Sequence, residues 1–130
     1  MEDFTPEQID EIAAAYADMA RSLNEFQVHH WPEFTHEQQL DLNAYQNSLL
    51  NRAQDILTRT TRPAFTNADQ MAIRIRQATN KAKISLLQLD NLPIALNVGA
   101  ITVALASYAA HANSRGIEIA LRELDELVGY

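Results

Sequence analysis

Residues 93–110 read PIALNVGAITVALASYAA, and they lie within a longer run, residues 91–114, that has no charged side chain. A helix that is apolar all round belongs either at the centre of a protein or in a membrane. Alanine dominates the run, polar side chains such as Asn97 and His111 recur along it, and no cluster of Lys or Arg flanks it to set a membrane orientation. We therefore expect residues 93–112 to form the central helix of a soluble bundle.

Helix-start signals precede the other apolar segments. FTPEQ at residues 4–8 combines an N-cap Thr, a Pro at the first helical position and a Gln at the third, which is a capping box. FTHEQ at residues 34–38 repeats this signature, and FTNAD at residues 65–69 repeats it more loosely. Since the residues beyond these starts do not align, the spacing indicates helices of similar length rather than an internal duplication.

Apolar residues that recur every three or four positions predict amphipathic helices after each start. The predicted helices cover about residues 6–27, 36–60, 67–89, 93–112 and 117–128. Proline in the connections prevents one helix from continuing into the next. The fold class that we predict is all-α: a mainly antiparallel four-helix bundle with a short fifth C-terminal helix, forming one domain over residues 1–130.

Composition limits the chemistry. The chain of 130 residues is 47% hydrophobic and 21% charged, which is typical of a globular domain, and it has no cysteine. Disulfides, thiol catalysis and cysteine-ligated zinc or iron–sulfur sites are therefore excluded. The acidic start Met1-Glu2-Asp3-Phe4 lacks the basic and apolar regions of a secretory signal, so we expect a cytoplasmic protein.

The formal net charge of −7 is unevenly distributed. Residues 1–41 contain ten acids and one base, whereas residues 42–90 contain seven bases and three acids. Oppositely charged helices can specify how a bundle packs. An acidic N-terminal third can also steer a basic protein partner, because complementary fields raise association rates. Free nucleic acid is not an expected partner, since phosphate binding depends on Lys and Arg.

A local cluster of His29, His30, Glu33 and His36 contains residue types that bind zinc or iron. Glu33-x-x-His36 matches one element of a carboxylate di-iron bundle, but that site needs a second such element and two further glutamates. The sequence has no second Glu-x-x-His, so a His-rich surface loop without bound metal is the prediction. Neither a Ser–His–Asp spacing nor a Gly-rich phosphate loop occurs, and we predict no cofactor and no enzymatic activity.

The sequence favours a non-enzymatic protein-binding module, in its most specific form an acidic immunity or antitoxin-type inhibitor of a basic toxin or nuclease. Two groups of residues are the candidate partner-binding site, namely the helix 1 acids Glu7, Asp10, Glu11 and Asp18 and the aromatic residues Trp31 and Phe34. Surface aromatic side chains often anchor interfaces, although Trp31 and Phe34 could instead close the end of the core.

Two alternatives remain open at this stage. The chain could be a structural, self-assembling protein whose apolar helix mediates oligomers, or residues 93–112 could associate conditionally with a membrane. Long enough to span a bilayer, the segment nevertheless carries recurring polar residues, which makes membrane association the less favoured alternative.

Overall fold

Five α-helices make up the computed structural model, which describes residues 1–59 and 64–128. They are α1 (Pro6–His29), α2 (His36–Thr58), α3 (Ala68–Leu86), α4 (Leu92–Ala110) and α5 (Ser114–Val128). A short 3-10 helix, Trp31–Glu33, connects α1 to α2. The predicted all-α helical bundle is confirmed. The predicted end of helix 2 at residues 60–63 lies outside the described residues.

Local capping chemistry begins the helices. The side chains of Thr5 and Thr35 each accept a hydrogen bond from the backbone N–H of the third helical residue, a Gln in both helices. The side-chain oxygen of that Gln accepts a hydrogen bond from the backbone N–H of the capping Thr. Both predicted capping boxes are confirmed. Asparagine caps the next two helices, because the side chains of Asn67 and Asn91 accept from the backbone of Gln70 and Ile94.

The order of packing differs from simple up-and-down neighbours. Contacts close a ring in the order α1, α2, α4, α5, α3, so α3 lies between α1 and α5. Side-chain contacts show that α1 and α3 run parallel, because Gln8 contacts Asp69 and Glu11 contacts Arg76, with both residue numbers rising together. The pairs Arg74–Glu118 and Lys81–Asp125 show the same for α3 and α5. Antiparallel contacts join chain-adjacent helices: α1 with α2, α4 with α5 and, less extensively, α3 with α4.

The core fills the space inside this ring. Its largest fully buried side chains come from all five helices and the N-terminal approach to α3, namely Ile12, Tyr16, Met19, Leu23, Leu42, Leu49, Ile56, Phe65, Ile75, Leu105, Ile117 and Leu124. Such a contiguous set supplies most of the free energy that holds a bundle together, because apolar burial contributes roughly 25 cal/mol per Å².

The apolar helix α4 is central only in part. It packs against α2 and α5 and touches α3, yet only 39% of its most apolar 18-residue stretch is buried. Ala95, Val98 and Leu105 face the core, while Ala100 and Val103 on the other side are half-exposed. The reason is geometric, because a helix in a ring has two main neighbours and keeps an outer side.

An N-terminal clasp, residues 2–5, ties α1 to the segment that leads into α3. Glu2 and Phe65 form an isolated antiparallel bridge, with backbone N–O distances of 2.7 and 2.9 Å. The rings of Phe4 and Phe65 stack with centroids 4.5 Å apart, and Asp3 forms a buried ion pair with Arg59. The sequence patterns did not predict these contacts.

Candidate functional site

Helix α1 carries the predicted acidic residues on its outer side. Glu7, Asp10 and Glu11 are exposed, and Asp18 is half-exposed. Glu11 pairs with Arg76 of α3 at 2.7 Å, and Asp18 pairs with Arg21 within α1 at 3.2 Å. Among residues 1–59 and 64–128, Glu7 and Asp10 have no ion-pair partner within 4 Å, which leaves their charges available to another molecule.

Basic residues of α3 account for part of the charge asymmetry. Arg74 binds Glu118 of α5 through two hydrogen bonds of 2.7 and 3.0 Å, and Lys81 lies 3.4 Å from Asp125. The hydrogen bond from Arg74 lowers the pKa of Glu118, and Glu118 in turn raises the pKa of Arg74. These contacts support the interpretation that charge helps position α3 between its neighbours, alongside any role in partner binding.

The two predicted aromatic anchors have different surroundings. Trp31 is 55% exposed, whereas Phe34 is 9% exposed and packs on Phe26 with ring centroids 5.9 Å apart. Phe34 therefore closes the end of the core and is not accessible as an anchor in this conformation. Val28 and Leu40, each more than half exposed, flank Trp31 in the sequence and add apolar surface at this end of the α1–α2 hairpin.

A buried amide cluster lies under the same end. Gln27, which is 2% exposed, donates through Nε2 to Oε1 of Gln39 at 2.7 Å and to Oδ1 of Asn43 at 3.1 Å. Gln46 Nε2 donates back to Gln27 Oε1 at 2.6 Å, and Gln39 Nε2 donates to the backbone oxygen of Trp31 at 3.0 Å. The network fixes the backbone from which Trp31 projects. In the sequence, the signal for this network is that Gln39, Asn43 and Gln46 are spaced by four and three residues, which places their amides on one side of α2.

The histidine cluster makes a compact aromatic contact. His30 Nδ1 lies 2.7 Å from Glu33 Oε2, and the His30 ring contacts the rings of Phe26 and His29 at 4.4 and 4.8 Å. Within the described ranges, no group of three His, Asp or Glu side chains is arranged to hold a metal ion. The ring contacts of His30 with Phe26 and His29 hold it against the C-terminal end of α1.

Two open grooves flank α3. The α1–α3 groove has a volume of about 440 Å³, and the α3–α5 groove has a volume of about 550 Å³. Gln77 lines both of them, so α3 forms a recessed strip between α1 and α5. The groove-lining cations Arg74, Arg76 and Lys81 are each paired with a carboxylate of a neighbouring helix.

Tyr16 lies beneath the α1–α3 groove and is fully buried. Burial raises the pKa of its phenol, and the neighbouring Thr79 hydroxyl lowers the Tyr16 pKa by less. The Thr79 hydroxyl donates to the Ile75 backbone oxygen at 2.8 Å, and Tyr16 Oη makes no hydrogen bond of good geometry within the described structure. The neutral phenol packs inside the core between α1 and α3.

Among the described residues, one helix is long and apolar enough to cross a membrane: α4, with a mean hydropathy of 1.6. Length and composition alone do not separate such a helix from a core helix of a soluble protein. The fold and site thus define a small helical bundle with an acidic helix face and an exposed aromatic connection. Searches of protein-family models, curated proteins and solved structures give no match for this chain.

Proposed function

We propose that this chain is a non-enzymatic protein-binding module whose partner is a basic protein. The observation that carries the proposal is the outer side of α1, where Glu7 and Asp10 are exposed and have no ion pair within the described residues. Exposed charges of one sign steer a partner of the opposite sign during diffusion. Trp31, exposed just beyond the other end of α1, supplies the kind of aromatic anchor that carries binding energy at interfaces.

In its specific form, the proposal is a cytoplasmic immunity or antitoxin-type inhibitor of a basic toxin or nuclease. A nuclease binds phosphates with Lys and Arg, so its active surface is complementary to an acidic helix. A rigid bundle that covers this surface would block substrate without any chemistry of its own. The exposed acids would set the association rate, and Trp31 would slow dissociation.

The test is affinity capture from the producing cells with three versions of the chain. The first is the natural chain, the second is Glu7→Lys/Asp10→Lys, and the third is the matched control Glu123→Lys/Glu126→Lys on the exposed side of α5. Both double variants change the net charge equally. We expect one basic protein to bind stoichiometrically to the natural chain and the control, and to be lost from the α1 variant.

Association kinetics with that protein complete the test. Reversal at Glu7 and Asp10 should lower the association rate by at least about tenfold at low salt and flatten its salt dependence. Trp31→Ala should act mainly on dissociation. Equal binding by all three versions would refute the role of the α1 acids, and recovery of no basic protein would refute the proposed function.

Self-assembly through α4 is the second candidate function. Less than half of the most apolar 18-residue stretch of α4 is buried, and its half-exposed side includes the small residues Ala100 and Ala104. Light scattering of the purified chain tests it: a defined oligomer that Ala104→Glu converts to monomers would support self-assembly. A monomer across the accessible concentration range would exclude it.

A further inference from the structure

The outward side of α3 carries an apolar line that no part of the described chain covers. Ile73 and Ile84 are each 48% exposed, and Leu87, directly after the helix, is 78% exposed. With 3.6 residues per turn, positions 84 and 87 return to nearly the same side of the helix as position 73. This line is about 21 Å long at 1.5 Å per residue. The exposed Gln77 and Asn80 lie between these positions on the same side, so the line has apolar ends and a polar middle. Exposed apolar surface bordered by polar residues commonly marks an interaction site.

The line borders the α1–α3 groove. On the α1 side the groove is lined by Glu11, Ala14, Ala15 and Asp18, and Ile73 lies on its α3 side. The two alanines leave room between the helices, which gives the groove its volume of about 440 Å³. A groove between two parallel helices, with an apolar strip along one side, has the shape that a third helix fills.

Within the described residues, the cations of α3 all have acidic partners on the side that faces α5, but not on the side that faces α1. Towards α5, Arg74 and Lys81 are two turns apart and each pairs with an acid of α5. Towards α1, Arg76 and Lys83 repeat this spacing, but only Arg76 has an acidic partner, Glu11. Lys83 lines the groove and makes no ion pair within residues 1–59 and 64–128.

Asp18 lies on the α1 side of the groove, at the position where an acid would pair with Lys83 as Glu11 pairs with Arg76. Glu11 and Asp18 are two helical turns apart, as Arg76 and Lys83 are. Asp18 instead contacts Arg21 of its own helix, through an exposed pair of low strength. On its α1 side the groove therefore presents Asp18, held only by an exposed pair within its own helix, and on its α3 side it presents Lys83, which has no ion pair within the described residues.

We propose that the α1–α3 groove binds an amphipathic α-helix of the basic partner. The helix lays its apolar stripe on Ile73, Ile84 and Leu87, directs Lys or Arg side chains towards Asp18 and Glu7, and places one acid at Lys83. About 14 residues match the length of the apolar line. This inference rests on the proposed function and deepens it, since it names the part of the partner that α1 recognises.

The chain itself contains an example of this mode of packing. Helix α5 is an amphipathic helix that lies along the other side of α3, with Leu121 and Leu124 buried and Glu118 and Asp125 on the α3 cations. The α5 side of α3 therefore already accepts a helix by combining an apolar stripe with ion pairs two turns apart. Because α1 lines the open groove with acids, we expect the partner helix to carry basic residues on the flank that faces α1.

A synthetic peptide of about 18 residues tests the inference independently of the natural partner. The peptide has a leucine stripe at helical spacing, lysines on one flank and a glutamate on the other; a scrambled peptide of equal composition is its control. Amide shifts of the isotope-labelled full chain are followed by NMR. We expect saturable shifts at Ala14, Ala15, Ile73 and Asn80, and none with the scrambled peptide.

Two matched variants locate the contact. Ile73→Glu should weaken peptide binding by about tenfold or more, because it places a charge under the apolar stripe. Leu50→Glu on α2, where the natural side chain is 50% exposed, should leave binding unchanged. Both positions are exposed enough for the variants to fold, which their amide spectra would verify.

The outcomes separate this inference from the proposed function. Absence of saturable shifts, shifts confined to other helices, or equal effects of Ile73→Glu and Leu50→Glu would overturn the groove inference. If the α1 charge reversals still abolished capture of a basic protein, the proposed function would stand without it. If the peptide occupied the groove while no basic protein was captured, the groove would stand and the proposed function would fall.

Discussion

Gln27 donates a hydrogen bond of 2.7 Å from Nε2 to Oε1 of Gln39 inside the α1–α2 hairpin, where both side chains are buried. Gln46 Nε2 donates to Oε1 of Gln27 at 2.6 Å. A buried amide is costly unless its hydrogen bonds are made, so a slipped hairpin would lose them together. The cluster therefore fixes the register of α1 against α2 and the position of the connection that bears Trp31.

Gln27→Leu should lower the free energy of unfolding by about 1–3 kcal/mol, because it leaves the buried Gln39 and the half-buried Gln46 without their shared partner. Urea denaturation measures the change. Gln54→Leu on the exposed side of α2 is the control and should change stability by less than about 0.5 kcal/mol. Equal effects of the two substitutions would show that the amide cluster does not stabilise the hairpin.

Tyr16→Phe should leave stability unchanged at neutral pH or raise it by up to about 1 kcal/mol. The substitution removes a fully buried hydroxyl that makes no hydrogen bond of good geometry in the described structure. Thermal denaturation provides the measurement. A loss of more than about 1 kcal/mol would mean that the hydroxyl binds Thr79 or a buried water.

The dependence of stability on alkaline pH provides a second test of Tyr16 burial. Burial raises the folded-state pKa of Tyr16 above its ordinary value of 10.0. The folded chain then holds this proton more tightly than the unfolded chain, so the contribution to stability is complete below pH 10 and declines as the pH rises above it, by about 1.4 kcal/mol per pH unit. Urea midpoints between pH 9 and pH 11 should fall less steeply for Tyr16→Phe than for Tyr45→Phe. Parallel curves would contradict the assignment.

Gly116→Ala should destabilise the α4–α5 hairpin, although alanine is the better helix former by about 1 kcal/mol. A Cβ at position 116 would lie 2.5 Å from Cδ1 of Tyr108. Displacing the ring costs about 1–3 kcal/mol. In a Tyr108→Ala background the same change should become stabilising, so a double-mutant cycle of unfolding free energies isolates the contact. Additive effects would exclude it.

Asp3→Ala should lower the unfolding free energy by about 3–5 kcal/mol, because it leaves the Arg59 charge buried. Asp10→Ala removes an exposed acid from the same end of the chain and should have little effect. Arg59→Met added to Asp3→Ala should recover part of the loss, since it removes the buried charge that the first substitution deprives of its Asp3 carboxylate. Denaturant titration of the four chains decides whether the N-terminal clasp contributes to stability.

Local chemistry made the helices predictable. Thr5 with Gln8, and Thr35 with Gln38, are contacts between residues three positions apart, so they can be read directly from the sequence. The observed helix bounds lie within three residues of the predicted ones where the structure describes them. Amphipathic spacing likewise indicated which sides of α1 and α5 are buried.

The candidate site was predictable only in part. Sequence spacing put Glu7 and Asp10 on one side of α1, and their exposure agrees with a solvated face. Trp31 and Phe34 are both aromatic residues of one connection, and no local pattern distinguishes them. Phe34 meets Phe26 in the folded chain while Trp31 remains exposed, which depends on where the two helices cross.

The sequence by itself determined five helices, their starts and their buried sides, because caps and helical periodicity act within a few residues along the chain. The tertiary structure alone decided that α3 lies parallel between α1 and α5, that α4 keeps an open side, and that Glu2 pairs with Phe65. These features depend on contacts between segments far apart in sequence. Several arrangements satisfy the same amphipathic pattern, and only complementary packing and buried polar partners select one of them.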